Sequence, residues 1–150
     1  MSTSHASESK KEKIRRPEER EWLVRLAYET QGEIADEKHI SALLKAHELP
    51  ESSYLLDSLR SLAQNRTQID ASIEVHLSGW SFDRLLRIDL AILRVAVNEL
   101  CYTKAAPVGV VINEAVELAK RYSDADSYRF VNGILASIVK DAKETDGAAQ

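Results

Sequence analysis

Residues 83–101, DRLLRIDLAILRVAVNELC, decide the fold, because a helix drawn over them is apolar on nearly every face. One side carries Leu85, Ile88, Ile92, Val95 and Leu100, and the other carries Leu86, Leu90, Leu93 and Val97. A surface helix has a single apolar stripe, whereas a helix that is apolar nearly all round lies inside the protein. We therefore predict a central helix that follows the break Gly79-Trp80-Ser81, has Ser81 as its N-cap and ends near Cys101.

The sequence on both sides of this stretch predicts further helices. Proline (3) and glycine (5) are too scarce for the many turns of an all-β fold. Pro17 and Gly32 bound a first helix, and Asp36 caps a second helix that ends near Pro50. Others are expected from about residue 51, at about 108–122 and at about 127–142, while a piece at about 67–77 is either separate or part of the third helix. The fold class is all-α: a compact bundle of six or seven helices over residues 17–143.

The charge differs between the N-terminus and the body of the chain. Residues 1–16 carry five basic and two acidic side chains, a net charge of +3, whereas the whole chain carries −4. We expect this Ser-, Lys- and Glu-rich segment to be a disordered basic tail, and residues 144–150 to fray. A basic tail on an acidic body is compatible with nucleic-acid binding, but such tails are more often solubilising extensions.

Several classes of protein are disfavoured by the sequence. It has no long uncharged apolar run for a membrane span and no apolar secretory signal, so we expect a cytoplasmic protein. The motifs of phosphate-binding loops, dinucleotide-binding folds and serine hydrolases are absent, and the four histidines lack metal-ligand spacing. Cys101 lies in an apolar run and is expected to pack as a small apolar residue. We therefore expect no catalytic residues, no cofactor and no metal site.

Two carboxylates lie inside apolar runs, Glu99 in VAVNELCY and Glu114 in VVINEAVEL. A partly buried carboxylate needs a partner, for which Arg94 and Arg121 are candidates. The pair could serve acid–base chemistry, but a structural ion pair is the favoured interpretation in a helical bundle.

Residues 129–139, RFVNGILASIV, combine helical spacing of apolar residues with Asn132-Gly133, a dipeptide typical of hairpin turns. Arg129 stands between Tyr128 and Phe130, a basic–aromatic cluster that could stack on the bases of single-stranded RNA. The spacing of Phe130, taken alone, favours a place in the core.

Two longer segments resemble a known family. RIDLAILRVAVNELCY (87–102) and PVGVVINEAVELAKRYSDADSYRFVNGILASI (107–138) closely resemble the C-terminal half of the NusB family of bacterial transcription antitermination factors. The resemblance implies two perpendicular helical subdomains, about 17–78 and 80–143. It also implies that Asn132-Gly133 is helical, with Gly133 allowing the close approach of a neighbouring helix and Asn132 bonded across a helix junction.

The resemblance implies a function in binding rather than catalysis. NusB-like proteins bind the boxA element of nascent RNA together with NusE, a ribosomal protein of the small subunit. The heterodimer helps the RNA polymerase antitermination complex to pass terminators, notably in ribosomal RNA operons. The positions that match the family's single-stranded RNA surface are Arg15, Arg16, Arg20, Tyr28, Asp126, Arg129 and Phe130. The surface for the protein partner would include Asp89.

The sequence also departs from the family pattern. Pro17, Glu18 and Glu19 interrupt the family's arginine-rich arm, which places two negative charges beside the expected RNA path. Asn98 stands where the central helix often has tyrosine. The alternative function is therefore a protein-interaction module without RNA binding, which could form a homodimer. NusB-like domains also precede RNA cytosine methyltransferases, but 150 residues leave no room for a methyl-donor domain.

Overall fold

The computed structural model describes residues 14–79 and 81–149, with side chains as far as residue 144. Within these residues the chain forms six α-helices and no β-strand, which confirms the all-α class. The helices are α1 (Arg16–Thr30), α2 (Glu37–Ala46), α3 (Ser53–Val75), α4 (Arg87–Asn98), α5 (Val108–Tyr122) and α6 (Ser127–Ala149). The tail predicted to be disordered comprises residues 1–16, of which 1–13 lie outside the described residues, as does Trp80 in the predicted break. At its end the prediction was wrong, because Arg16 begins α1. Helix α6 continues to Ala149, through residues that were expected to fray.

Local signals set the ends of the first three helices. Gly32 follows α1 with a φ of +76°, a conformation that favours glycine. The Asp36 carboxylate accepts a backbone N–H in the first turn of α2 at 2.9 Å, and the Ser52 hydroxyl does the same for α3 at 3.2 Å. Both residues are therefore N-caps. Because α3 runs unbroken to Val75, the piece predicted at about 67–77 continues the third helix.

The central helix is α4, which packs against α1, α3, α5 and α6. Every residue from position 91 to position 98 is buried, which confirms the helix expected to be enclosed on all sides. The Asn98 amide donates to the backbone carbonyl of Ser58 at 3.1 Å, and its carbonyl accepts from the Ser61 hydroxyl at 2.6 Å. Asn98 thus joins α4 to α3. The expected division into two perpendicular subdomains stays a prediction.

The predicted start of the central helix was wrong. Ser81 precedes a 3₁₀ turn, Phe82–Arg84, and its side chain caps nothing there, whereas α4 begins only at Arg87. The backbone is extended at Leu85 and Leu86, with ψ values of 139° and 140°. This extended pair separates the two helical pieces, so one continuous helix from residue 83 cannot form.

A buried ion pair joins α1 to the end of α4, and we call it the junction. Nε and Nη2 of Arg20 donate to the two carboxylate oxygens of Glu99 at 3.0 and 2.8 Å, and the Tyr54 hydroxyl donates to Glu99 at 2.6 Å. Glu99 begins a π-helical segment, Glu99–Thr103, that directly follows α4. A structural ion pair of Glu99 was predicted correctly, but its partner was not.

The two arginines offered as partners of Glu99 and Glu114 bind other carboxylates. Arg94 donates to both oxygens of Asp70 at 2.8 and 3.0 Å. Arg121 donates to Glu21 at 3.2 Å. Arg94 therefore joins α4 to α3, and Arg121 joins α5 to α1.

The Asn132-Gly133 dipeptide lies within α6, as expected. The reasons offered for it were wrong, because Asn132 is exposed and a Cβ at Gly133 would meet no atom within 4 Å. Val131, Ile134 and Leu135 on either side are buried, so their packing is what keeps this segment helical.

In the described part of the chain, no helix is both long enough and apolar enough to cross a membrane.

Candidate nucleic-acid interface

The loop of residues 123–126 joins α5 to α6 and is held in place from α4. The Asp89 carboxylate accepts from the Ser123 hydroxyl at 2.6 Å and from the Ser127 hydroxyl at 3.0 Å. Two serines at the ends of the loop thus bind one carboxylate, while Asp124 and Asp126 between them are exposed. Asp89 itself is only 4% exposed, so little of its side chain is open to direct contact with a protein partner, and its place in the partner surface stays a prediction.

A cleft of about 530 Å³, which we call the first cleft, opens beside this loop. It is lined by Glu21, Val24, Arg25, Tyr28, Leu86, Arg87, Ile88, Tyr122, Ser123 and Asp124. Tyr28, Leu86 and Tyr122 are 47%, 43% and 44% exposed, although all three are large and apolar. Exposed aromatic rings at a concave surface are what unstacked RNA bases stack on.

A second cleft of about 600 Å³ adjoins the first. Leu86 and Asp124 line both, and the remaining residues of the second cleft are Arg84, Leu85, Asp89, Ala125, Asp126, Ser127 and Phe130. Phe130 is half-buried and also packs against the core, so the core placement favoured by its spacing is correct in part. Tyr28, Asp126 and Phe130, predicted from different parts of the sequence, therefore lie along one pair of adjoining clefts.

The two clefts contain three arginines, which supply local positive groups, together with four acidic residues, Glu21, Asp89, Asp124 and Asp126. Arg25 and Arg87 line the first cleft and Arg84 lines the second. All three are exposed, and none forms an ion pair with another residue in the described part of the chain. The guanidinium of Arg25 lies 4.7 Å from the ring centre of Trp22, a contact that leaves its charge unneutralised. Such groups can contact phosphate oxygens of a nucleic acid.

The arginines at the start of α1 lie apart from the two clefts. Arg16 stacks on the ring of Tyr54 at 4.0 Å from its centre and donates to Glu19 at 3.4 Å. Arg15 lies in a separate groove of about 200 Å³ that is also lined by Pro17, Glu18, Glu21, Glu114, Glu117, Leu118 and Arg121. Acidic side chains therefore surround Arg15, as the interrupted arm suggested.

Arg20 does not lie on the expected RNA surface. It is 5% exposed, and the junction uses its guanidinium for Glu99. Burial alone would lower the pKa of Arg20, but the hydrogen bond to Glu99 and the nearby Tyr54 and Glu99 outweigh it and raise the pKa above its ordinary value. Because the guanidinium is buried and already paired, we remove Arg20 from the RNA surface.

Arg129 is exposed but lines neither cleft. Its Nε donates to the Tyr128 hydroxyl at 3.0 Å, and this bond raises the pKa of Arg129. Lys120 lies 5.1 Å from the centre of the same ring. The basic–aromatic cluster predicted here exists, with the ring of Tyr128 close to both Arg129 and Lys120.

The sequence reasoning missed Arg25, Arg84, Arg87 and Tyr122. Arg25 stands three positions before Tyr28, which places both on one face of α1, so helical spacing could have found it. Tyr122 immediately precedes the loop of residues 123–126. Arg84 and Arg87 flank the extended pair Leu85-Leu86, whose conformation the apolar pattern concealed.

Two further features concern chemistry that the sequence disfavoured. Burial raises the pKa of the Cys101 thiol, an effect that Lys104 partly opposes, so the group stays protonated as a packing residue does. Among the described residues, no group of three or more His, Cys, Asp or Glu side chains is arranged to hold a metal ion.

Comparison with known proteins gives a consistent result. The model of the NusB family matches residues 9–140. The transcription antitermination protein NusB of Acetivibrio thermocellus is 40% identical over 124 residues, which cover 81% of this chain and 86% of that protein. The protein of the same name from Macrococcus caseolyticus is 36% identical over 127 residues, which cover 84% and 97%.

Solved structures with the same fold include NusB of T. maritima, with a TM-score of 0.73 and 32% identity over 85% of this chain and 92% of that one. Another is a crystal structure of the antitermination factors NusB and NusE in complex with double-stranded RNA. Its matching chain has a TM-score of 0.67 and 26% identity, with 83% and 94% covered.

Proposed function

The chain belongs to the NusB family, and from this premise we propose that it is a transcription antitermination factor that binds boxA-type nascent RNA together with NusE. In this proposal it promotes processive transcription of ribosomal RNA operons as part of the RNA polymerase antitermination complex, in the cytoplasm. It acts by binding and carries out no catalysis. The names of its relatives and the NusB–NusE–RNA complex among its structural neighbours support this function.

One observation on this chain carries the proposal: two adjoining clefts combine exposed tyrosines with three exposed arginines that form no ion pair among the described residues. Base–aromatic stacking contributes about 1–3 kcal/mol per base, and arginines bind the phosphates between bases. A surface with rings at its edge and separate positive groups suits a flexible single strand better than a rigid duplex.

The proposed RNA surface therefore differs from the one read from the sequence. Tyr28, Asp126 and Phe130 are kept as residues of the two clefts. Arg15, Arg16 and Arg129 are kept as outer contacts for the phosphate backbone. Arg25, Arg84, Arg87 and Tyr122 are added, and Arg20 is removed. Asp89 is proposed to support the NusE surface indirectly, by fixing the loop of residues 123–126.

The test is a titration of fluorescently labelled single-stranded boxA RNA, with and without NusE, over a series of salt concentrations. We expect binding to weaken as salt rises, with a slope set by the number of phosphates neutralised. Tyr28→Ala should raise the Kd about fivefold to a hundredfold, the loss of one stacked base. Tyr102→Ala is the matched control, because Tyr102 is 40% exposed and lines neither cleft.

The outcome separates this function from its alternative. The acidic groove around Arg15 favours the second candidate, a protein-interaction module that forms a homodimer. If no RNA binds even with NusE present, and sedimentation shows a dimer of the free chain, that second function replaces the first. Equal losses for Tyr28→Ala and Tyr102→Ala would place the RNA away from the first cleft.

A further inference from the structure

Glu21 occupies a distinctive position on α1. It lines both the first cleft and the smaller groove around Arg15, so its side chain stands at the boundary between them. Two consecutive residues at the end of α5 bind its carboxylate. Nη1 of Arg121 donates to one oxygen at 3.2 Å, and the Tyr122 hydroxyl donates to the other in a short hydrogen bond.

The groups that hold Glu21 are ones an RNA backbone would use. A guanidinium and a phenolic hydroxyl are both donors to phosphate oxygens. Arg121 and Tyr122 are exposed, and Tyr122 lines the proposed RNA cleft. Arg121 lines the adjoining groove around Arg15. Unlike Arg25 and Arg87 of the first cleft, which form no ion pair among the described residues, Arg121 is already paired with a carboxylate.

The contact between Glu21 and Arg121 contributes little to the stability of the fold. The side chain of Arg121 is 58% exposed and that of Glu21 is 26% exposed, in contrast to the junction, where both partners are buried. Exposed ion pairs stabilise a fold little, and a competing anion can exchange for the carboxylate.

We propose that Glu21 is an internal competitor of the RNA phosphate: its carboxylate holds Arg121 and Tyr122 in the free protein and gives them up when RNA crosses from the first cleft to the adjoining groove around Arg15. This inference rests on the proposed function, because it assigns a regulator to the same cleft. Glu21 thereby lowers the affinity of this surface for RNA.

The inference predicts a characteristic salt dependence. When a phosphate replaces Glu21 on Arg121, the RNA releases a cation but the freed carboxylate takes one up, so this contact adds nothing to the slope. In Glu21→Gln no carboxylate is freed, and the plot of log K against log salt should steepen by about 0.7, the value for one phosphate of a single strand. The Kd at low salt should fall about twofold to fivefold, the range of one exposed ion pair.

The experiment measures boxA RNA binding by the full chain with NusE across a salt series. Glu37→Gln is the matched control, because Glu37 forms an exposed pair with Arg60 at 2.6 Å and lines neither cleft. Arg121→Gln should change binding little in the wild-type background, because the contact that Arg121 gains to a phosphate replaces the one that it loses to Glu21. In the Glu21→Gln background it should remove both the gain in affinity and the steeper slope.

Each other result overturns the inference. A Glu21→Gln chain that binds RNA with the wild-type affinity and slope would show that the carboxylate does not compete. An equal gain of RNA affinity in Glu37→Gln would show that the effect comes from the change in net charge alone. If the wild-type chain with NusE binds no RNA, the proposed function fails and the inference fails with it, whereas a wild-type chain that binds normally isolates the role of Glu21.

Discussion

Arg20 and Arg25 stand five residues apart on α1, yet the structure gives them opposite environments. Arg20 lies in the junction, 5% exposed and bonded to Glu99, whereas Arg25 is exposed beside the first cleft with its guanidinium over Trp22. A buried charge must be paired, so the junction fixes α1 on α4. An exposed, unpaired charge contributes little to stability and stays available to a ligand. The comparison shows that burial, not residue type, separates scaffold from binding surface.

The largest effect is expected from breaking the junction. Arg20→Ala removes the charge that pairs with buried Glu99 and should lower the free energy of unfolding by about 3–5 kcal/mol. Arg25→Ala should stay within about 0.5 kcal/mol of the wild type, because it removes an exposed side chain. Urea unfolding of the two variants measures the difference. Similar losses of unfolding free energy in both variants would show that Arg20 and Arg25 do not differ in their contribution to the fold.

A smaller loss of stability is expected at the loop that borders both clefts. Asp89→Ala leaves the hydroxyls of Ser123 and Ser127 without their acceptor and should cost about 2–3 kcal/mol. The same variant should weaken RNA binding although Asp89 is buried, because the loop of residues 123–126 lines both clefts.

Asp83→Ala removes an exposed carboxylate from the turn that precedes α4 and serves as the control. Unfolding and RNA titration are measured on both variants. Normal RNA binding by a destabilised Asp89→Ala would mean that the clefts do not depend on the loop, and our proposal for Asp89 would have to be abandoned.

The junction should also give stability a dependence on pH. Burial raises the pKa of Tyr54, and its hydrogen bond to Glu99 raises it further, so the folded state keeps this proton where the unfolded chain, with an ordinary value of 10.0, releases it. The stabilisation is therefore complete below pH 10 and is lost as pH rises above that value. Tyr54→Phe should cost about 1–2 kcal/mol at pH 8.

The difference in unfolding free energy between wild type and Tyr54→Phe should accordingly narrow above pH 10. Denaturant unfolding at pH 8 and at two values above pH 10 provides the measurement. A constant difference over this range would show that Tyr54 does not hold its proton more tightly in the folded state.

The sequence predicted what is encoded locally. The cap at Asp36 depends on contacts within one turn, and the burial of α4 follows from its apolar faces. The positions of Tyr28 and Asp126 came from the family resemblance, and their meeting at adjoining clefts emerges only from the fold.

What the sequence did not predict depends on distant partners or on backbone breaks. Arg20 and Glu99 are 79 positions apart, so neither the pattern nor the spacing could reveal that one neutralises the other. Leu85 and Leu86 fit a helical pattern, but their extended backbone directs Arg84 and Arg87 to the clefts. The family motif alone placed Arg20 on the RNA surface, because a motif records residue type and not burial.

The smallest effect on stability is expected at Gly133. This residue lies on the exposed side of α6, whereas the junction is buried. A Cβ at Gly133 would touch nothing within 4 Å, so tertiary packing neither requires nor forbids a side chain there. Gly133→Ala should therefore stabilise the protein by about 0.5–1 kcal/mol, through helix propensity and the lower entropy of the unfolded chain.

Gly32→Ala provides the contrast to this stabilisation. Gly32 has a φ of +76°, and a Cβ there would lie 3.2 Å from atoms of both Arg66 and Arg94. This substitution should destabilise the protein, since alanine is strained in that conformation and crowds the two arginines. Thermal unfolding of both variants decides the matter. A destabilised Gly133→Ala would mean that α6 makes a close contact at this position after all, as the family resemblance first implied.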